Sequence, residues 1–164
     1  MPDLDQKMYE AILNNKPAKL LKILQDNPTA ADDSARSKSL PILHTAIFLR
    51  NSVCSNILID HMSQEALAMT SSNGSTPLHQ TVMANLPDVA ERLLQKSPKS
   101  VLETKDRFRR TPLEYAREQE VHDIVRLIEG KKPRNFVLSE EEVNLVVSPD
   151  RTPRQKKSAE EQKR

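Results

Sequence analysis

The chain has 164 residues, the size of one ordinary domain with some chain to spare, and its 37% hydrophobic and 29% charged content leaves part of it outside a core. A single cysteine, Cys54, excludes an internal disulfide and a Cys-x-x-Cys metal pair. No run approaches the roughly 18 apolar residues of a membrane span, and the acidic start is not a secretory leader, so a soluble intracellular protein is expected.

The first segment, residues 4–30, places Met8 and Ala11 in one short helix and Ile23 and Leu24 in a second. Gln6, Lys7 and Lys19 make it polar where later segments are apolar. The stretch from Asn27 to Leu40, with Asp32, Asp33 and several serines, reads as an irregular loop.

The second segment, residues 40–74, opens with Pro41-Ile42-Leu43-His44-Thr45-Ala46. Its second helix carries Cys54, Leu58 and Ile59 on one stripe, with Cys54 expected to be a small core residue.

The third segment, residues 75–109, opens with Thr76-Pro77-Leu78-His79. Thr76 suits an N-cap, and Pro77 suits the first helical turn, where its missing N–H costs nothing. Leu78, Thr81 and Val82 recur at i, i+3 and i+4 as one apolar stripe. A turn is expected near Asn85. Pro87 then starts a helix whose buried stripe is Val89, Ala90, Leu93 and Leu94.

The fourth segment, residues 110–130, repeats the pattern with Thr111-Pro112-Leu113-Glu114 and then Ile124, Val125, Leu127 and Ile128. Glu129 stands where Leu94 stood, so this segment ends the stack.

The four segments share one period. Thr76 and Thr111 are 35 residues apart, and two further steps of 35 land on Pro41 and Gln6. The third position is always apolar: Met8, Leu43, Leu78 and Leu113. The sixth is small: Ala11, Ala46, Thr81 and Ala116. The eighteenth is aliphatic: Ile23, Leu58, Leu93 and Ile128. Helices this short do not persist alone in water, so each pair needs its neighbours, and a solenoid follows.

With this period, Thr-Pro-Leu-His followed by paired aliphatics resembles the ankyrin repeat. The likeness spans roughly residues 4–130, with about three full repeats and an N-terminal capping unit. It implies an all-α solenoid of antiparallel helix pairs joined by hairpin-like fingers, with a concave face used to bind another protein. The family usually has glycine at the tenth position, where this chain has Asn15, Arg50, Asn85 and Glu120. Asparagine tolerates the left-handed conformation that glycine supplies; arginine and glutamate tolerate it less well, so strained or altered turns are expected. The finger before Thr111 likewise carries Arg109 where glycine is usual.

The solenoid is assigned to residues 1–130 and a disordered charged tail to 131–164. The last 34 residues hold nine Lys and Arg against six Asp and Glu, while the first 130 hold 16 against 17. Lys131, Lys132 and Arg134, then Arg151, Arg154, Lys156 and Lys157, resemble a bipartite nuclear-import signal. Ser148 and Thr152 precede proline beside basic residues, as in substrates of proline-directed kinases. Residues 136–147 carry apolar groups, Phe136, Val137, Leu138 and those from Val143 to Val147, which read first as incidental to an unstructured tail, with docking on the last repeat or a short recognition segment as the alternatives.

His44 and His79 sit one period apart, and the resemblance implies that each imidazole bonds the backbone of the adjoining finger. Glu114 in the third copy speaks against a metal cluster. No nucleophile, base and orienter share a spacing, and Gly74 and Gly130 are the only glycines, so there is no phosphate loop. No enzyme activity, cofactor, metal or small-molecule substrate is expected.

The resemblance places partner contacts at the ends of the inner helices, Phe48, Leu49, Met83 and Ala84, and on the finger Lys105, Arg107, Phe108, Arg109 and Arg110. Such a surface suits a protein with an acidic and apolar face. The leading reading is a monomeric adaptor, scaffold or inhibitor in the cytoplasm or nucleus. One alternative is a chromatin-associated regulator whose basic finger and tail touch phosphate. Another is a secreted bacterial effector that grips a host protein through the same face.

Overall fold

In a computed structural model, which describes residues 3–36 and 41–130, the chain is built from short helices and turns, with no strand among the described residues. Four inner helices, α1 (Leu4–Leu13), α4 (Ile42–Phe48), α7 (Pro77–Ala84) and α9 (Pro112–Glu118), pack each on the next. Four outer helices, α2 (Pro17–Asp26), α5 (Ser52–His61), α8 (Pro87–Lys96) and α10 (His122–Ile128), form a second row behind them. The fold is therefore the all-helical solenoid expected from the repeat.

The small sixth-position residues explain why the inner row can close. Ala11, Ala46, Thr81 and Ala116 are all fully buried, and a larger side chain there would push neighbouring helices apart. Thr81 satisfies its buried hydroxyl by donating to the Leu78 carbonyl at 2.7 Å. Met8, Leu43 and Leu78 fill the core at the third position, and Leu58 and Leu93 at the eighteenth. Ile23 and Ile128, at the two ends, are only half-buried, as terminal repeats with a single neighbour must be. Cys54 lies in this core as a free thiol.

Each inner helix ends in the same turn. Asn15, Arg50, Asn85 and Glu120 all adopt the left-handed conformation, with φ of 49°, 56°, 50° and 55°. The next residue's N–H then reaches back five positions: Lys16 to Ala11, Asn51 to Ala46, Leu86 to Thr81 and Val121 to Ala116. Arginine and glutamate thus take the shape that asparagine takes, and the turns are uniform rather than altered. Arg109 does the same in its finger, at φ 64°, one period after Gly74 at φ 72°.

One helical element beyond those read from sequence follows each of the first three helix pairs. Ala30–Ala35 forms α3, where an irregular loop was expected for Asn27 to Leu40; residues 37–40 of that loop lie outside the described residues. Gln64–Leu67 forms α6, and Lys99–Leu102 forms a 3-10 turn, so one short helical turn follows each of α2, α5 and α8. Ala31, Ala66 and Val101 are buried there at one register. The physical reason in α3 is packing of small residues: Ala30, Ala31, Ser34 and Ala35 are buried, and alanine is the best helix former. Its polar groups are engaged as well. Ser34 donates to Asp5, and Asp32 accepts the Ser63 N–H at 2.9 Å, just before α6.

Helix starts differ along the stack. Thr76 and Thr111 each make a capping box with the residue three positions on, His79 and Glu114 respectively. At the equivalent place α4 has Pro41, which has neither hydroxyl nor N–H to offer.

Candidate protein-binding surface

The histidines belong to the scaffold of this surface. His44 Nε2 bonds the Ser75 carbonyl at 2.9 Å, and His79 Nε2 bonds the Arg110 carbonyl at 2.9 Å. Each imidazole ties its inner helix to the next finger, as the resemblance implied. His79 Nδ1 also accepts from the Thr76 backbone N–H at 3.2 Å. His44 Nδ1 has no partner, because Pro41 replaces the threonine. Burial holds both imidazoles below the ordinary histidine range, against the raising effect of the carbonyls they touch.

The inner helices present an apolar ladder. Phe48 is 64% exposed and Met83 57% exposed at the eighth position of successive repeats. Leu13 occupies the same register in the first repeat and is 64% exposed. Sequence reasoning missed Leu13, although subtracting one period from Phe48 lands on it. Leu49 and Val53 are exposed nearby. Together with Leu13 they line an open groove of about 510 Å³, rimmed by Asn15, Arg50, Asn51 and Ser52. Asn51 fixes that rim: it accepts from the Cys54 N–H at 3.1 Å to cap α5, and it donates to Asn15 Oδ1 at 3.2 Å.

Ala84 does not belong to the surface. It is only 8% exposed, because its single methyl is shadowed by the helices on either side. Leu49, one period earlier, is longer and emerges.

The finger from Lys105 to Arg110 is rigidly built. Asp106 is buried and accepts from the Phe108 N–H at 2.8 Å and the Arg110 N–H at 3.0 Å. The Arg110 guanidinium donates to its other oxygen through Nε at 3.1 Å and Nη2 at 2.9 Å. Burial alone would raise the Asp106 carboxyl, but these four donors outweigh it and hold it below the usual carboxylate range. Arg107 N–H bonds the Asn73 carbonyl at 3.0 Å, tying this finger to the preceding one.

Arg110 is therefore a structural group, not a free contact arginine. It also reaches Glu118 Oε2 at 2.8 Å and lies 4.2 Å over the Tyr115 ring. Phe108, 61% exposed, is flanked by the Arg107 guanidinium at 4.6 Å and that of Arg110 at 4.8 Å. Lys105, Arg107 and Arg109 are exposed and form no ion pair with another described residue.

One connection joins finger and ladder. Glu118 occupies the eighth position of the last repeat, the rung after Met83. Its pairing with Arg110 neutralises that rung and brings Phe108 alongside. Leu13, Phe48 and Met83 thus share one register, and Phe108 lies beside the arginine that pairs with Glu118 at the next position of that register.

Among the described residues, no group of three His, Cys, Asp or Glu could hold a metal, and no helix is long and apolar enough to cross a membrane. The import-like cluster Lys131, Lys132, Arg134, Arg151, Arg154, Lys156 and Lys157, the sites Ser148 and Thr152, and residues 136–147 lie outside the described residues. The Ankyrin repeat family model matches residues 73–106, which run from the turn before Thr76 to Asp106. No curated protein compared with the chain matches it.

Proposed function

We propose that this chain, whose residues 73–106 match the Ankyrin repeat model inside a gapless 35-residue repeat, acts as an adaptor, scaffold or inhibitor through its inner-helix face. The single observation that carries this reading is the register of Leu13, Phe48 and Met83. Three large apolar side chains repeat at one solvent-facing position of a domain whose core needs none of them. Isolated exposed apolar groups are common, but a contiguous series flanked by charge is the composition of an interface centre. A nucleic-acid partner is the weaker reading. The finger's best-placed guanidinium, Arg110, is occupied by Asp106 and Glu118, and an apolar ladder offers nothing to phosphate.

The test is affinity capture from a native-source lysate with the full chain and with a F48S/M83S double variant whose folding is checked by circular dichroism. Both positions are exposed, so the variant keeps the core. A protein retained by the native chain and lost by the variant supports the reading. Equal retention by both refutes it.

A further inference from the structure

We infer that the occupant of this face is one amphipathic α-helix of a partner protein, lying along the stack, with apolar residues at seven-residue intervals and acidic residues at the end that meets Phe108. The inference rests on the inner-helix face being the binding surface and specifies what fills it.

The spacing argument comes from the ladder. Its rungs are side chains at one register of successive packed helices, and packed helices lie about 8–10 Å apart. Seven residues of α-helix rise about 10.5 Å and complete nearly two turns, so positions i, i+7 and i+14 share a face with about 20° of drift per step. One helix therefore meets Leu13, Phe48 and Met83 in turn. An extended strand fits worse. Three residues of strand span about 10 Å, but positions i and i+3 point to opposite sides.

The charge argument fixes the polarity. At the Phe108 end, Arg107 and Arg109 form no ion pair with another described residue, Lys105 feels only the nearby exposed Glu114, and the acid on the rung, Glu118, is already held by Arg110. Carboxylates of a helix passing there would be paired without displacing an internal bridge. At the Leu13 end, the groove formed with Leu49 and Val53 offers apolar side chains beside Asn15, Arg50, Asn51 and Ser52 and takes a terminal anchor. The occupant thus has an apolar end and an acidic end, and it binds in one direction only.

The test is a display library of roughly 22-residue helical peptides, long enough to span three rungs with a turn to spare, randomised on every exposed position and selected on the full chain. The expected clones carry apolar residues at i, i+7 and i+14, with Asp or Glu one to two turns beyond one terminal anchor. Moving the middle anchor by one residue turns it about 100° away and should weaken binding at least roughly tenfold. The R107E/R109E variant should lose at least roughly tenfold for acidic clones and little for versions with glutamine in place of the acids.

Enrichment of another spacing, of basic clones, or of nothing overturns the inference. The two readings separate on F48S/M83S. Clones of any other pattern that this variant fails to bind would leave the face in use and remove only the helix. Clones that bind it as well as the native chain would remove both.

Discussion

Replacing Arg50, Arg109 and Glu120 together by glycine should raise the melting temperature of this protein. All three residues sit at positive φ, between 55° and 64°, where a Cβ crowds the following carbonyl at about 1–2 kcal/mol per residue. Glycine removes that strain and adds about 0.5–1 kcal/mol of unfolded-chain entropy, leaving a net gain near 0.5–1 kcal/mol per site. None of the three side chains makes a hydrogen bond or ion pair with a described residue, so nothing else is lost. The turns share no hydrogen bond, and their effects should add to about 2 kcal/mol. For a domain of this size that corresponds to roughly 5–10 °C, readable by calorimetry. Asn85→Gly is the control: asparagine already tolerates φ of 50°, so its gain should be smaller. A triple variant that melts at or below the native temperature would refute the strain argument. So would an Asn85→Gly gain equal to that of Arg50→Gly.

Three further outcomes follow from the site's supports. Pro41→Thr should stabilise by about 1 kcal/mol in urea titration, because its hydroxyl and N–H would complete the box with His44 Nδ1 that Thr76 makes with His79; an unchanged midpoint would contradict this. Arg110→Ala should destabilise by about 2 kcal/mol by stripping the buried Asp106 of its guanidinium, and Arg107→Ala should cost far less in the same urea titration. Stability should fall on acidification. Burial keeps His44 and His79 below 6.5 in the folded chain, so the unfolded chain takes up protons first; stability is full above about 6.5 and is lost as pH falls through the folded values. Urea midpoints at pH 7.5 and 5.5 check the sign, and a higher midpoint at 5.5 would reverse it.

Much of this arrangement was legible because the repeat has no gaps. The 35-residue period alone locates the buried Ala11, Ala46, Thr81 and Ala116 and the left-handed Asn15, Arg50, Asn85 and Glu120. The short helix Ala30–Ala35 was not legible, since six residues carry too few turns to show a periodicity and form a helix only because Ala30, Ala31 and Ala35 pack against neighbours. The equivalence of Ala31, Ala66 and Val101 was the available signal. Exposure at the surface was only partly readable: Phe48 and Met83 emerge at their register, while Ala84 is covered because its size, not its position, decides. Arg110 looked like its neighbours in sequence. Its internal role depends on Asp106 being buried four residues away, which composition does not reveal.

The unequal capping of the inner helices has a consequence for how a ligand would be received. α7 and α9 start from closed Thr boxes with proline in the first turn, and the finger between them is clamped by Asp106. α4 starts at Pro41 with an orphaned imidazole nitrogen behind it. Met83 and Phe108 therefore stand beside closed caps, while Phe48 rides on the one inner helix whose start has no side-chain cap. An incoming chain would gain its first foothold beside the closed caps, where little freedom remains to be lost. Phe48 can then adjust on its uncapped helix, so that related ligands differing there are accepted from one common anchor.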